Sequence, residues 1–316
     1  MITKFPWRCP KCSHSLVDNS DELKCVRCGR TYKKTDGVFT FLSETNIAES
    51  FGIQWNTFPK VQLDSYSGDS RSLERFLNET GWYQNKLKGS LVLDAGCGAG
   101  RFSEVSLLMG SHLVMLDASD AIFAARRNLI PNSHSFFVKA SLLNLPFKSE
   151  SFDFVYCIGV LQHTSDAYHC IEELARVTKK GGEIALTFYE KSGWWTLFYS
   201  KYLIRPITKR LDKKFLLNII NLSSRIWFPI TNILFRLPYR IGKFFQFAVP
   251  VANYASYQYS NKRLARLEAV LDTFDMLSPE FDEPLIKGDV VRQLKKSGFE
   301  ILDSSIKGNV KARKTS

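Results

Sequence analysis

Three groups of residues in this chain have the types and spacing to do chemistry. The first is the pair of knuckles in "CPKCSHSLVDNSDELKCVRCG", with Cys9 and Cys12 followed by Cys25 and Cys28. Two C-x2-C pairs present four thiolates tetrahedrally to one zinc ion from two hairpin tips. Gly29 supplies the tight turn that the second knuckle requires. A fragment this small buries little surface, so the metal is expected to be structural and to supply much of the local folding free energy. Four ordinary buried thiols are the alternative, and His14 is expected on the surface rather than as a ligand.

The second group is "SLVLDAGCGAGRF", which reads as a buried strand, a glycine-rich turn and a helix start. The glycines fall at 96, 98 and 100, one residue short of the G-x-G-x-x-G spacing that seats a pyrophosphate on a helix N-terminus. The loop therefore brings backbone close to a ligand without a diphosphate. Further on, "SHLVMLDAS" is a second strand ending in Asp117, where an acid can accept both hydroxyls of a ribose.

The third is His163 in "FDFVYCIGVLQHTSD". This stretch reads as a strand whose end delivers Gln162 and His163 to the ligand cleft, with Thr164 or Ser165 capping the helix that follows. An imidazole titrates near neutral pH, so His163 suits a general base that takes a proton from a hydroxyl. It equally suits a pocket wall. His112, His134 and His169 have no constellation around them, Cys97, Cys157 and Cys170 read as packing residues, and Asp153 reads as structural.

These motifs together resemble the class I S-adenosylmethionine-dependent methyltransferases, of the group that includes ubiquinone-biosynthesis-like enzymes. "LDAGCGAG", "LDAS", "LLNLPFKSESFDFVYCIGVLQH" and "LARVTKKGGEIALTF" carry the resemblance, closely over 89–190 and more loosely in "LKKSGFEILDSS". It implies that Asp94, Gly96 and Gly98 hold the methionine end of the cofactor, that Asp117 holds the ribose and that Ala118 packs on the adenine. Gly100, Ser141 and Leu142 complete the implied cofactor-binding set. Family members usually carry an aspartate where this chain has Ser141, whose hydroxyl accepts the same hydrogen bond without charge assistance. The cysteine knuckles resemble the small zinc ribbons at the front of many such enzymes, with "YKKTDGVFTFL" as the closing strand region.

The elements that must position these groups follow. The resemblance implies an α/β, doubly wound, Rossmann-like sheet of seven strands, with an N-terminal zinc ribbon and a helical insertion after the fifth strand. The expected organisation is a ribbon over 1–42, a helical cap over 43–88, the cofactor-binding core over 89–190, the insertion over 191–260 and completion of the core over 261–316. Trp55, Tyr66 and Trp82 in the cap are pocket aromatics or covers for the sheet edge. "NVKARKTS" reads as a short, polar, frayed closing strand.

The chain of 316 residues carries a net charge of +12, and all of it lies between Lys191 and Arg263, where 13 Lys/Arg meet one acid, Asp212. Sixteen aromatics are interleaved there between Trp194 and Tyr259. Arg205, Arg225, Arg236 and Arg240 interrupt every apolar run, so no membrane span is expected. Pro206, Pro229 and Pro238 are expected to break the segment into short helices. Basic helices rich in Leu, Ile and Phe suit a membrane interface. An interfacial lid that takes a small-molecule or lipid-linked acceptor, of the sugar or quinone-precursor type, is the favoured reading. RNA base methylation using ribbon and insertion is the alternative. A non-catalytic subunit that binds the cofactor for structure is a further one, opposed by the retained Asp94, Gly96, Gly98 and Asp117. The start "MITKFPWRC" lacks an apolar leader, so a cytoplasmic, peripheral location is expected.

Overall fold

Alternating apolar runs separated by helical patterns build the sheet from the middle outward. The computed structural model describes residues 5–19, 21–42, 48–129, 135–191, 193, 199–255 and 261–315. His134, Trp194 and Trp195 lie outside them. The ribbon contributes β1 (Leu16–Asp18), β2 (Glu22–Cys25), β3 (Thr31–Thr35) and β4 (Val38–Thr40). The helices α1 (Glu49–Thr57), α2 (Asp64–Ser67), α3 (Arg71–Thr80) and α4 (Gln84–Leu87) follow. The core runs β5 (Leu91–Ala95), α5 (Arg101–Leu108), β6 (His112–Asp117), α6 (Ala121–Asn128), β7 (Ser135–Lys139), β8 (Phe152–Ile158), α7 (Ala167–Val177) and β9 (Thr178–Thr187). Then come α8 (Ser200–Thr208), α9 (Lys213–Leu234), α10 (Tyr239–Ala248), α11 (Lys262–Leu277), α12 (Lys287–Lys296), β10 (Phe299–Asp303) and β11 (Asn309–Lys314).

Seven strands lie in the order β7-β6-β5-β8-β9-β11-β10. β5 pairs in parallel with β6 on one side and β8 on the other, so the chain winds outward in both directions from β5. That reversal opens a crevice at the carboxyl ends of these strands, where doubly wound sheets bind their ligands.

The ribbon is not a separate layer. β4 pairs in parallel with β7, with Val38 opposite Phe137, so the four ribbon strands extend the sheet to eleven among the described residues. Asp36 and Gly37 both take positive φ, 51° and 78°, which a two-residue hairpin between β3 and β4 requires. Trp7, Tyr32 and Phe39 join Phe147 and Phe152 in one continuous core. Apolar packing as well as metal therefore anchors the ribbon.

Several expectations need correction. β11 is not a frayed edge, because it lies between β9 and β10, bonded to both, and the edge strand is β10. Its Lys314 is buried, with Nζ donating to the carbonyls of Ala175 and Thr178. The cap of α7 is Asp166, whose Oδ1 accepts from the His169 amide at 2.9 Å, rather than Thr164 or Ser165. Pro206 and Pro229 sit inside α8 and α9 without ending them. Proline removes one ladder bond, but the buried face of α9 (Leu216, Leu217, Ile220) packs on α11 and Phe58. Burial of such side chains is worth roughly 1.5–3 kcal/mol each and outweighs that loss. Pro238 does fall at a break, as the cap of α10.

Candidate active site

The glycine loop after β5 is shaped by close approach. Gly96 has φ 93°, and a Cβ there would fall 2.4 Å from Cγ2 of Val160. Gly98 has φ 55°, and its Cβ would meet the Trp55 indole nitrogen at 3.1 Å. The amides of Gly96 and Cys97 both donate to the Leu116 carbonyl, which ties the loop to β6. The Gly98 amide donates to Oδ2 of Asp117 at 2.9 Å, and the other oxygen accepts from the amide and hydroxyl of Ser119. Burial pushes the Asp117 carboxyl up, and these donors oppose it.

These residues form one side of a cavity of 870 Å³ that also takes in Ala118, Ser141, Leu142 and, from α1, Trp55. Oγ of Ser141 accepts from the Leu143 amide at 3.2 Å, which orients the hydroxyl. Two expected residues stand behind this wall rather than on it. Asp94 is buried and accepts from the Ser103 hydroxyl at 2.5 Å. Burial pushes its carboxyl up to about 7. Gly100 precedes α5, and a Cβ there would meet Leu129 at 2.8 Å. Of the cap aromatics, Trp55 reaches the cavity, Tyr66 is exposed, and Trp82 is buried with Nε1 donating to Glu183 at 2.7 Å.

His163 lies on a single 3₁₀ turn, Leu161–His163, and lines the same cavity. Its Nδ1 is 3.0 Å from the Phe281 carbonyl oxygen, which can only accept, so Nδ1 carries the proton in the neutral ring. Nε2 is then the lone-pair nitrogen, and it is buried without a hydrogen-bond partner. Phe51 and Tyr189 flank the ring at centroid distances of 5.1 and 5.8 Å. Gln162 does not face the cleft; its amide nitrogen donates to the Gly159 carbonyl.

A further part of the lining comes from a helix the motifs gave no hint of. α11 sends Glu268, Asp272 and Asp275 into the cavity, and Arg71, Arg75 and Arg101 come from α3 and α5. Arg71 Nη1 donates to Glu268 at 2.6 Å, Gln62 Nε2 to Asp272 at 3.2 Å, and Arg101 Nη1 to Oε1 of Gln62 at 3.1 Å. Burial, with Glu268 and Asp275 close by, pushes the Asp272 carboxyl up to about 7. Burial also raises the Asp275 carboxyl, against the attraction of His163. Spacing of four and then three residues puts all three acids on one helix face. That pattern in "LEAVLDTFDML" was the available signal. Tyr189 and Tyr254 complete the wall.

Away from the cavity, the sulfurs of Cys9, Cys12, Cys25 and Cys28 all lie within 4.8 Å of one another. A tetrahedral zinc with bonds of about 2.3 Å needs sulfur–sulfur edges of about 3.8 Å. Cys9 to Cys28 spans 3.8 Å and Cys12 to Cys25 spans 3.3 Å. The donor set fits a closed, structural zinc site. His14 turns Nδ1 to the Cys12 carbonyl instead. The thiols of Cys97, Cys157 and Cys170 are buried, and burial raises each of them, so none is poised as a thiolate nucleophile.

Residues 93–186 match the family described as a methyltransferase domain. This segment is a class I S-adenosylmethionine-dependent methyltransferase domain. Its glycine loop, Asp117 and Ser141 all line the cavity. Over 222 residues the chain is 24% identical to an uncharacterized chloroplastic methyltransferase of Arabidopsis thaliana, covering 60% of this chain and 59% of that one. It is 32% identical to a malonyl-[acyl-carrier protein] O-methyltransferase of Erwinia billingiae, over 36% of this chain and 47% of that one. It is 29% identical to a ubiquinone biosynthesis O-methyltransferase of Hahella chejuensis, over 39% and 54% respectively. The chain thus spans about half the length of the curated relatives it matches, and the likeness centres on the methyltransferase domain.

Proposed function

We propose that the protein methylates a hydroxyl of a polar small-molecule or lipid-linked acceptor, of the sugar or quinone-precursor type, with S-adenosylmethionine as donor. The observation that carries this reading is the single cavity joining the glycine loop and Asp117 to the unpartnered Nε2 of His163.

When bound, S-adenosylmethionine supplies a methyl carbon on a sulfonium whose positive charge vanishes during in-line displacement. The residues suited to hold it are Gly96, Gly98, Asp117, Ala118, Ser141 and Leu142, which all line the cavity. The donor would give up that methyl group to the acceptor's oxygen and leave as a neutral thioether. The acceptor's proton passes to Nε2 of His163, which the Nδ1 hydrogen bond to Phe281 keeps in the accepting tautomer. Trp55, Phe51 and Tyr189 shield the reacting centre from water, and positioning supplies much of the rate.

The carboxylates and arginines of the second wall favour an acceptor with several hydroxyls or carbonyls, which pair well with both. Two of the relatives above are O-methyltransferases by name, which agrees with an oxygen acceptor. The test is a calorimetric titration of S-adenosylmethionine into the wild type and Asp117→Ala, followed by methyl transfer to lipid-linked and RNA pools. Micromolar binding lost in the variant, with methylation of a lipid-linked pool, supports the proposal. Absence of binding to the wild type, or methylation confined to RNA, overturns it.

A further inference from the structure

Helix α9 is apolar on two faces, and only one of them has a partner. Leu216, Leu217 and Ile220 pack against α11 and Phe58. On the other side, Phe215, Ile219, Leu222, Ile226, Ile230 and Ile233 recur at steps of three and four residues. At 100° per residue they form one stripe running the length of the helix. Leu222 is 68% exposed and Ile226 69%. A soluble helix normally keeps such a face polar, and an apolar stripe of this length marks an interaction surface.

Two other helices of the same segment also expose apolar side chains. α8 exposes Leu203 and Ile207, and α10 exposes Ile241 and Phe244. The surrounding charge is one-sided: Lys191 to Arg263 holds 13 basic residues and one acid. Lys201 and Arg205 turn inward, to Asp282 and to the carbonyls of Met276 and Pro279. Arg236 bonds the Ala255 carbonyl. Lys214, Arg225 and Arg240 remain at the surface beside the stripe.

We propose that the exposed face of α9, with α8 and α10, docks on a bilayer surface rich in anionic lipid. Branched aliphatic side chains enter the acyl boundary while lysine and arginine meet lipid phosphates. Among the described residues no helix is long and apolar enough to cross a membrane, so α9 lies along the surface. The stripe is mostly aliphatic, whereas single-stranded nucleic acid is gripped by aromatic stacking. The stripe is one helix removed from the proposed active site: the other face of α9 packs on α11, and Ala252 and Tyr254, just beyond α10, line the cavity. Docking thus sets the cavity's α11 side near the interface, which deepens the lipid-linked acceptor reading and rests on it for the acceptor alone.

The test is co-sedimentation of the full chain with vesicles of phosphatidylcholine, alone or mixed with phosphatidylglycerol, after nuclease treatment. The expected result is binding to the mixed vesicles only, weakened by salt. Leu222→Glu with Ile226→Glu, both on the surface, should lower partitioning by more than about tenfold. Lys214→Glu with Arg225→Glu should lower it by roughly fivefold per residue. Calorimetric binding of S-adenosylmethionine should be unchanged in both variants, which certifies their fold and separates docking from the methyltransferase reading. Wild type that ignores anionic vesicles, or stripe variants that bind like wild type, would overturn the inference. So would co-purifying RNA that the stripe variants no longer carry, or a dimer that they dissolve.

Discussion

His163 and Asp275 meet across the cavity from opposite parts of the chain, with Nε2 of the histidine 4.0 Å from Oδ2 of the aspartate. The gap is longer than a hydrogen bond, so the carboxylate does not occupy the lone pair that a proton acceptor needs. It does provide a negative charge for the imidazolium that forms when His163 takes a proton.

His163→Ala should therefore lower kcat by about 10²–10⁴ while leaving the affinity for S-adenosylmethionine within about twofold. Asp275→Asn should give a smaller loss in kcat, because the imidazolium loses its counter-charge. Steady-state kinetics, with calorimetry for the cofactor, checks both. Unchanged turnover in His163→Ala at saturating acceptor would make the ring a pocket wall only.

Burial pushes the carboxyls of Asp94 and Asp272 up to about 7. Each then holds a proton in the folded chain at pH values where the unfolded chain has released it. The folded state binds more protons between about pH 4 and 7, so stability contributed by these groups is present below pH 4 and lost as pH rises through 7. Asp272→Asn removes one of the two and should flatten the fall in Tm between pH 5 and 7, a change on the order of 2 kcal/mol. Thermal unfolding of the unliganded protein at several pH values measures it, and a parallel curve for the variant would contradict it.

At Gly96, φ of 93° and a Cβ only 2.4 Å from Val160 make two separate costs. Gly96→Ala should cost about 1–2 kcal/mol for the backbone and about 1–3 kcal/mol for overpacking. Cofactor affinity should fall by at least about tenfold, because the loop must shift. Adding Val160→Ala should recover the packing part alone, so partial rescue in Tm is the expected reading.

Metal removal should be felt beyond the ribbon. A chelator, or Cys9→Ser, should strip one zinc per chain and lower Tm by several degrees. Because β4 pairs with β7, amide exchange should rise in Phe137 and Val138 as well as in the ribbon strands. Elemental analysis with hydrogen exchange tests this. Protection of β7 unaltered by metal loss would mean that the apolar contacts of Trp7 and Phe39 hold the edge alone.

The sequence made one wall of the site readable and hid the other. Gly96, Gly98, Asp117, Ser141 and His163 belong to strand ends and the turns beyond them, where local spacing reports position directly. Glu268, Asp272 and Asp275 lie more than a hundred residues further along, on a helix whose charges look like an ordinary solvated face. Only its packing on α9 and Phe58 turns that face inward. The same limit explains β11: a polar strand reads as an edge until a nonlocal register seats it between β9 and β10. Asp94 shows the opposite case, in which a motif residue is correctly located but aimed at Ser103, behind the wall.

The two walls of the cavity also differ in what can change without penalty. Strand ends that carry Gly96, Gly98 and Asp117 are locked by sheet register, so drift there disturbs the whole domain. The α11 wall hangs from an inserted helical layer fastened mainly by its own apolar cluster. On the reading proposed above, a substitution at Glu268 would change the lining that an acceptor meets while leaving the glycine loop and Asp117 untouched. The two parts of the lining therefore answer to different parts of the fold.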